Sequence, residues 1–139
     1  MKMKARIVLL SFIILLGSCS ENSMIGMDNE SIDMGAMNDK ISYQGTFVSV
    51  GHPTSGLATV NENKTILSFK NFKTDNGPKL LVYLSTTTED EDFVNLGDLK
   101  GIEGNYDYTI PQNTDIATYK YVVIWCVDFS VSFGHAELK

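Results

Sequence analysis

The residues with the widest chemical repertoire in this sequence are two cysteines and two histidines. Cys19 closes an apolar N-terminal segment, and Cys126 lies in an apolar run near the other end of the chain. His52 stands between a glycine and a proline, and His135 follows Cys126 by nine positions. Thiolates take up acyl groups, metals or a second sulfur, and imidazole binds metals. These four residues are therefore the first candidates for chemistry.

Cys19 ends a segment that is organised like an export signal. The segment opens with three basic residues: Lys2, Lys4 and Arg6. An apolar stretch follows at 7–16, and ten residues are too few to cross a hydrocarbon layer of about 30 Å as a helix. The segment predicts a signal peptide over residues 1–18 and argues against a permanent transmembrane helix.

Residues 16–19, Leu-Gly-Ser-Cys, resemble the lipobox of bacterial lipoproteins. The resemblance implies cleavage before Cys19, transfer of a diacylglyceryl group to its thiol, and addition of a third acyl chain such as palmitate to the new amine. Several acyl chains, at roughly 0.8 kcal/mol per buried methylene, hold a protein at a membrane far more firmly than one chain. The alternative is an ordinary secretory signal with a chance cysteine, and both interpretations export the domain.

The lipobox predicts a membrane partner and a location in the cell envelope. Ser20, rather than an aspartate, follows Cys19, and by analogy with bacterial lipoproteins this implies sorting to an outer membrane. The formal net charge is -6, and removal of the leader leaves eight basic and seventeen acidic residues, near -9. Charge of that sign disfavours nucleic acid and anionic membrane surfaces as partners.

Residues 19–40 predict a lipidated N-terminus followed by a flexible tether. The stretch is rich in Ser, Asn, Asp, Glu, Gly and Met and contains no aromatic residue. Such a composition cannot bury enough apolar surface to fold alone. Four of its residues are methionines: Met24, Met27, Met34 and Met37. Thioethers are soft ligands for Cu(I), so a copper-binding tether stays open as an alternative.

From Ile41 onward the sequence predicts one all-β domain over 41–139. Seven runs have the length and residue types of strands: 41–50, 56–60, 65–69, 79–85, 105–110, 119–127 and 129–133. No stretch after residue 40 has a helical period. Short strands at this spacing predict an antiparallel β-sandwich or a barrel-like sheet with seven to eight strands.

Alternation within the runs predicts which side chains share a face. The first run places Ile41, Tyr43 and Phe47 together, and the last places Phe129, Val131 and Phe133 together. The run that contains Cys126 is apolar on both faces, which is typical of a strand covered on both sides. One of these faces holds Val122, Ile124 and Cys126; the other holds Tyr121, Val123 and Trp125.

Several segments together resemble the DM-thirteen family of predicted electron-transfer domains. They are NGPKLLVYLS at 76–85, LGDLKGIEGNYDYTIP at 96–111 and YVVIWCVDFSVSFGHAEL at 121–138, with GTF at 45–47 and SGLATV at 55–60 fitting the opening strands. The resemblance covers about residues 43–139. It implies an all-β fold and a redox role for the family's signature cysteine, which maps onto Cys126.

Cys126 itself has two interpretations. Once Cys19 is lipidated, Cys126 has no intrachain partner for a disulfide. It is either a small buried hydrophobic residue or a thiol near the strand end, beside Asp128, where it ligates a metal or forms a mixed disulfide. A thiol alone is a poor one-electron carrier, so electron transfer needs a bound haem, copper or a partner's thiol. No motif identifies which of these groups is present.

The remaining candidates have simple structural explanations. Cys126 with His52 and His135 would match the ligand types of blue copper, but their spacing departs from that pattern. Trp125 is expected to anchor the core, and the acidic run at 89–92 to form a solvated loop. The sequence contains no catalytic triad, P-loop, zinc-enzyme motif or Cys-x-x-Cys, so no enzyme class is indicated.

The leading interpretation is a lipid-anchored envelope protein that takes part in electron transfer through Cys126 with a redox partner protein. The alternative, from a different class, is a non-catalytic binding or structural module in which Cys126 belongs to the core.

Overall fold

The computed structural model describes residues 40–139, which form eight strands. The strands are β1 (Ile41–Ser49), β2 (Thr54–Asn61), β3 (Ile66–Thr74), β4 (Leu80–Ser85), β5 (Phe93–Asp98), β6 (Glu103–Thr109), β7 (Tyr121–Cys126) and β8 (Val131–Glu137). This part of the chain has no helix long and apolar enough to span a bilayer. The predicted signal peptide, Cys19 and the tether up to residue 39 lie outside the described residues.

The eight strands form one antiparallel sheet in the order β5-β4-β7-β8-β1-β2-β3-β6. The sheet curls into a nearly closed barrel, with β5 and β6 as its two edges. The predicted all-β, antiparallel, barrel-like class is therefore confirmed. Four of the seven neighbouring pairs are consecutive in the chain, and three are not: β4–β7, β3–β6 and β1–β8. The β1–β8 pair joins strands from opposite ends of the domain.

A bulge in β3 lets two phenylalanines face the core. Phe69 and Phe72 are three positions apart, so a regular strand would point them to opposite faces. The register with β6 shifts between these two residues, and Asn71 in the bulge has a left-handed φ of 49°. The Asn71 backbone N–H donates to Asn105 Oδ1 at 2.7 Å. Both rings consequently pack on Phe47, with centroids 5.0 and 5.1 Å away.

The two central strands β4 and β7 are buried on both faces, as their apolar runs predicted. Val122, Ile124 and Cys126 belong to the main core inside the barrel. Val123 and Trp125 belong to a second cluster on the outer face, and their partners on β4 are Leu81 and Tyr83. The predicted division of β7 into two faces is confirmed, and so is the role of Trp125 as a buried anchor.

Three strand predictions differ from the structure. β5 was not among the seven predicted runs, because an edge strand with an exposed Phe93 lacks a regular apolar alternation. The alternation places Ile41 on one face with Tyr43 and Phe47, but the register with β2 shifts between Ile41 and Tyr43, and Ile41 is exposed. Phe129 was placed in the last strand, but it lies 68% exposed in a turn that Ser130 closes with a φ of 48°.

The turns divide between the two ends of the barrel. One end, called here the Cys126 end, holds the turns at 50–53, 75–79, 99–102 and 127–130. The other, called the Ile41 end, is where the chain enters β1 and where β8 finishes. It also holds the acidic run at 89–92, whose side chains are exposed as predicted. The fold thus places Cys126 and the chain's entry into the domain at opposite ends.

We expect Gly45→Ala to lower the free energy of unfolding by about 1–3 kcal/mol. A Cβ at Gly45 would collide with the backbone carbonyl of Glu137, so β1 and β8 would have to move apart. Urea unfolding of the full chain measures the change. The matched control is Thr46→Ala in the same strand, whose side chain is exposed. Equal midpoints for the two variants would contradict the close approach of these strands.

Candidate functional site

Cys126 is the last residue of β7 and points into the barrel. It pairs with Leu80 of β4 on one side and with Val131 of β8 on the other. Its side chain is completely buried in the main core, and it is the free cysteine of residues 40–139. The sequence left two placements open, and the structure places the thiol in the core rather than at a solvent-reached strand end.

The turn after Cys126 holds the thiol in this orientation. The Val127 N–H donates to the Lys79 carbonyl at 3.0 Å, so the β4–β7 pairing continues one residue beyond the cysteine. The Ser130 N–H then donates to the Val127 carbonyl at 3.3 Å and closes the turn. Because the pairing is unbroken, strand alternation keeps Cys126 on the same inner face as Ile124.

An open cleft of about 480 Å³ lies beside the thiol at the Cys126 end. The turn at 76–79 lines one side, and residues from Asp98 to Ile102 line the other. Leu80 also lines the cleft and keeps 8% of its surface exposed. Leu80 is also the direct cross-strand neighbour of Cys126, so one side chain both lines the cleft and lies next to the cysteine in the sheet.

The turn before β4 closes over the same part of the core. A Cβ at Gly77 would lie 3.0 Å from side-chain atoms of both Leu80 and Phe133, so glycine allows the turn to pass close to them. The His52 ring packs on Phe133 with centroids 3.9 Å apart. Its Nδ1 lies within hydrogen-bond distance of Asp75 Oδ2, at 3.0 Å, in an exposed contact. The cover over the thiol is therefore a set of turns rather than a strand.

The rim of the Cys126 end is unusually apolar. Four of its turn residues are large, hydrophobic and exposed: Val50, Ile102, Val127 and Phe129. Single exposed apolar side chains are common on soluble domains, but several around one end of a barrel form a surface suited to a protein partner. A charged pair, Lys79 with Asp98 at 3.4 Å, lies at the edge of the cleft.

The two histidines do not converge on Cys126. His52 lies in the turn between β1 and β2, where its ring contacts Asp75. His135 lies on the outer face of β8 and is the cross-strand partner of Val123. Because Cys126 points inward, the ligand types of blue copper are not assembled. Between Lys40 and Lys139, no cluster of three His, Cys, Asp or Glu side chains is suited to a metal ion. In this part of the chain the ligand types of a blue-copper centre therefore stay apart.

The copper-binding alternative for the tether concerns Met24, Met27, Met34 and Met37. These residues lie outside the described part of the chain, so that alternative stays a prediction.

His135 lines a groove that no sequence pattern indicated. It is an open groove of about 610 Å³ on the outer face of the barrel. Burial lowers the pKa of His135, against smaller opposite effects of Glu89 and Glu137. The groove combines residues near 44–48 with residues near 135–139. A sequence offers no local signal for a site formed by two strands so far apart.

We expect Leu80→Ala to raise the rate at which the folded chain's Cys126 reacts with an aromatic disulfide reagent at least about tenfold. The truncation opens a path from the cleft to the thiol, at a stability cost of about 2–5 kcal/mol. The measurement is a native-state thiol titration in a Cys19→Ser background, which leaves Cys126 as the sole thiol.

The matched control is Leu84→Ala, which removes a fully buried leucine from the same face of β4 but near its opposite end. It is expected to destabilise the domain without the same gain in native-state reactivity. Equal rates for the two variants would contradict the role of Leu80 as the barrier.

Comparison with known proteins identifies the family. The family model described as electron transfer DM13 matches residues 46–138. Neither the curated proteins nor the solved structures contain a match to this chain. The matched region spans β1 to β8 and includes the cleft, its turns and Cys126. Since the match covers well over half of the sequence, the chain belongs to the electron transfer DM13 family.

Proposed function

We propose that this protein is lipid-anchored in the cell envelope through Cys19, and that its DM13 domain takes part in electron transfer through Cys126. Family membership supports an electron-transfer-related module. The observation that carries the assignment to Cys126 is its place directly behind Leu80, at the side of an open cleft with an apolar rim. In this proposal, a shift of Leu80 opens the path by which a partner's sulfur reaches the thiol.

The chemistry that suits a lone thiol is relay between a dithiol donor protein and a disulfide acceptor protein. The Cys126 thiol gives its proton to water, and the thiolate attacks the acceptor's disulfide. One acceptor sulfur bonds to Cys126 and the other leaves as a thiolate. A donor thiolate then attacks the Cys126 sulfur and releases the reduced acceptor. The donor's second thiolate finally displaces Cys126, so two electrons pass from donor to acceptor and Cys126 is restored.

The position of the proposed tether supports this arrangement. The chain enters β1 at Ile41, at the end of the barrel opposite Cys126. A flexible spacer of about 20 residues has an average reach of about 25 Å, so it would hold the domain near the membrane without covering the cleft. The apolar rim would then be free to meet another envelope protein.

A second candidate is a non-catalytic binding or structural module. The observation that favours it is the complete burial of Cys126 among apolar side chains. A thiol in such surroundings packs as a small hydrophobic residue. In that case substitution of Cys126 would change stability but no redox behaviour.

We expect part of Cys126 to be joined by a disulfide to another protein in native membranes, because the relay must pass through such an intermediate. Acid quenching, maleimide blocking of free thiols and electrophoresis without reductant would display it as a heavier species. Dithiothreitol should convert that species to the free chain, and the Cys126→Ser variant should lack it. If the species persists in Cys126→Ser, or if wild-type Cys126 stays reduced in these membranes, the redox proposal is wrong.

Mass spectrometry of the chain extracted from membranes should find Cys19 as an acylated N-terminus. The Cys19→Ala variant should remain uncleaved before residue 19 and carry no acyl chain, because the thiol is the acceptor group. The Ser20→Ala variant, which keeps the thiol, should be acylated normally. An unacylated mature N-terminus, or a disulfide between Cys19 and Cys126, would contradict the anchor.

A further inference from the structure

The groove on the outer face is built from strand pairs in the middle of the sheet. Its floor is formed by the paired strands β1 and β8. Val48 lies opposite His135 in this pairing. Further along, Gln44 and Lys139 exchange backbone hydrogen bonds of 3.1 and 2.9 Å. Leu57 of β2 borders the floor on one side. On the far side it is bordered by Tyr121 of β7 and by Thr88 of the loop after β4.

The backbone of the groove is unavailable to a peptide ligand. β8 is hydrogen-bonded to β7 and β1, and β1 to β8 and β2, so neither strand has a free edge here. An added peptide strand needs unpaired backbone N–H and C=O groups along such an edge. Any ligand in the groove must therefore be recognised by side chains.

The charged groups in the groove largely neutralise one another. Glu137 accepts from Lys120 Nζ at 2.8 Å and pairs with Lys139 Nζ at 3.2 Å. The hydrogen bond from Lys120, followed by that from Lys139, lowers the pKa of Glu137, so the carboxylate stays ionised beside them. The negative charge of Glu89 also reaches this groove, because it raises the pKa of His135 against the larger effect of burial. No cluster of like charge among these residues would select an ionic ligand.

His135 adds hydrogen-bonding capacity that residues 40–139 leave unused. Its Nδ1 is sealed from solvent and has no hydrogen-bond partner among them. Burial lowers the pKa of this imidazole, so the neutral ring both donates and accepts one hydrogen bond. The ring is held by packing, with Tyr121 edge-on at a centroid distance of 6.0 Å. Buried polar atoms are usually paired, so this unpaired atom is a hydrogen-bonding group that a ligand would reach only if the His135 ring turned toward the groove that it lines.

We propose that this groove binds a neutral saccharide chain. Sugar hydroxyls donate and accept hydrogen bonds, and the groove offers an amide on Gln44, hydroxyls on Thr46 and Thr88, and the His135 imidazole. The apolar faces of sugar rings fit Val48, Leu57 and the aromatic ring of Tyr121. The floor from β2 to β7 crosses three strand spacings, about 14 Å, so the ligand would contain several sugar units.

The test is calorimetric titration of the full chain with maltohexaose, cellohexaose and chitohexaose. A polyoxyethylene detergent keeps the chain in solution, because glucoside detergents would compete for the groove. At least one hexasaccharide should bind saturably with a Kd below about 1 mM. Thr46→Trp, which fills the centre of the groove, should weaken that binding at least about tenfold. Gln44→Ala, a milder change of an exposed residue, should weaken it as well.

The matched control is Thr109→Trp, because Thr109 is also an exposed threonine in a strand but lies on β6, outside the groove. Thr109→Trp should bind that hexasaccharide with the same Kd as the unmodified chain. The proposal is overturned if none of the three hexasaccharides saturates the chain, if both Thr46→Trp and Gln44→Ala bind normally, or if an anionic oligogalacturonate binds more tightly. Cys126→Ser should bind normally, so this proposal and the redox proposal fail independently.

Discussion

The pairing of β1 with β8 is the contact on which the whole barrel depends. Without it the strand order would separate into β5-β4-β7-β8 and β1-β2-β3-β6, two four-stranded sheets. The strands pair from Phe47 with Ala136 to Ser49 with Gly134, and backbone hydrogen bonds continue at both ends, as between Gln44 and Lys139. The pairing joins residues almost ninety positions apart. Closing so long a stretch of chain costs entropy. Burial of the aromatic cluster around Phe47 offsets that cost, because the cluster is enclosed only when the two halves meet.

Once the barrel is closed, the reactive side chains lie on different sides of its wall. Alternation on β7 turns Cys126 inward. On β8 the register with β7 shifts between Ser132 and Gly134, which lets Phe133 face inward while His135 faces outward. The thiol therefore lies behind a cleft at one end of the barrel, whereas the imidazole lies in a groove on its outer surface. Two residues that look like partners in the sequence are kept apart by the sheet itself. This geometry favours two independent sites over one shared metal centre.

The parts of the fold that the sequence predicted are those that depend on local alternation. The two faces of β7 follow from its residue pattern alone, because successive side chains point to opposite sides of any strand. The prediction was wrong where a bulge or turn interrupts that alternation, as at Ile41 and Phe129. The edge strand β5 was missed because half-exposure weakens its pattern. The groove beside His135 depends on the register between β1 and β8, which no local pattern contains.

Burial of the thiol and its proposed reactivity are compatible if access is brief. In the envelope location proposed above, an exposed thiol would be open to oxidation and random cross-linking, and complete burial would protect Cys126 from both. Opening confined to the turns that line the cleft and to Leu80 would cost less free energy than global unfolding, because the rest of the sheet stays paired. Burial of Val127 and Phe129 against a partner would release apolar surface from water and so favour opening at the moment of docking. A partner that brings both apolar surface and a disulfide would then gain access to a thiol that other oxidants seldom reach.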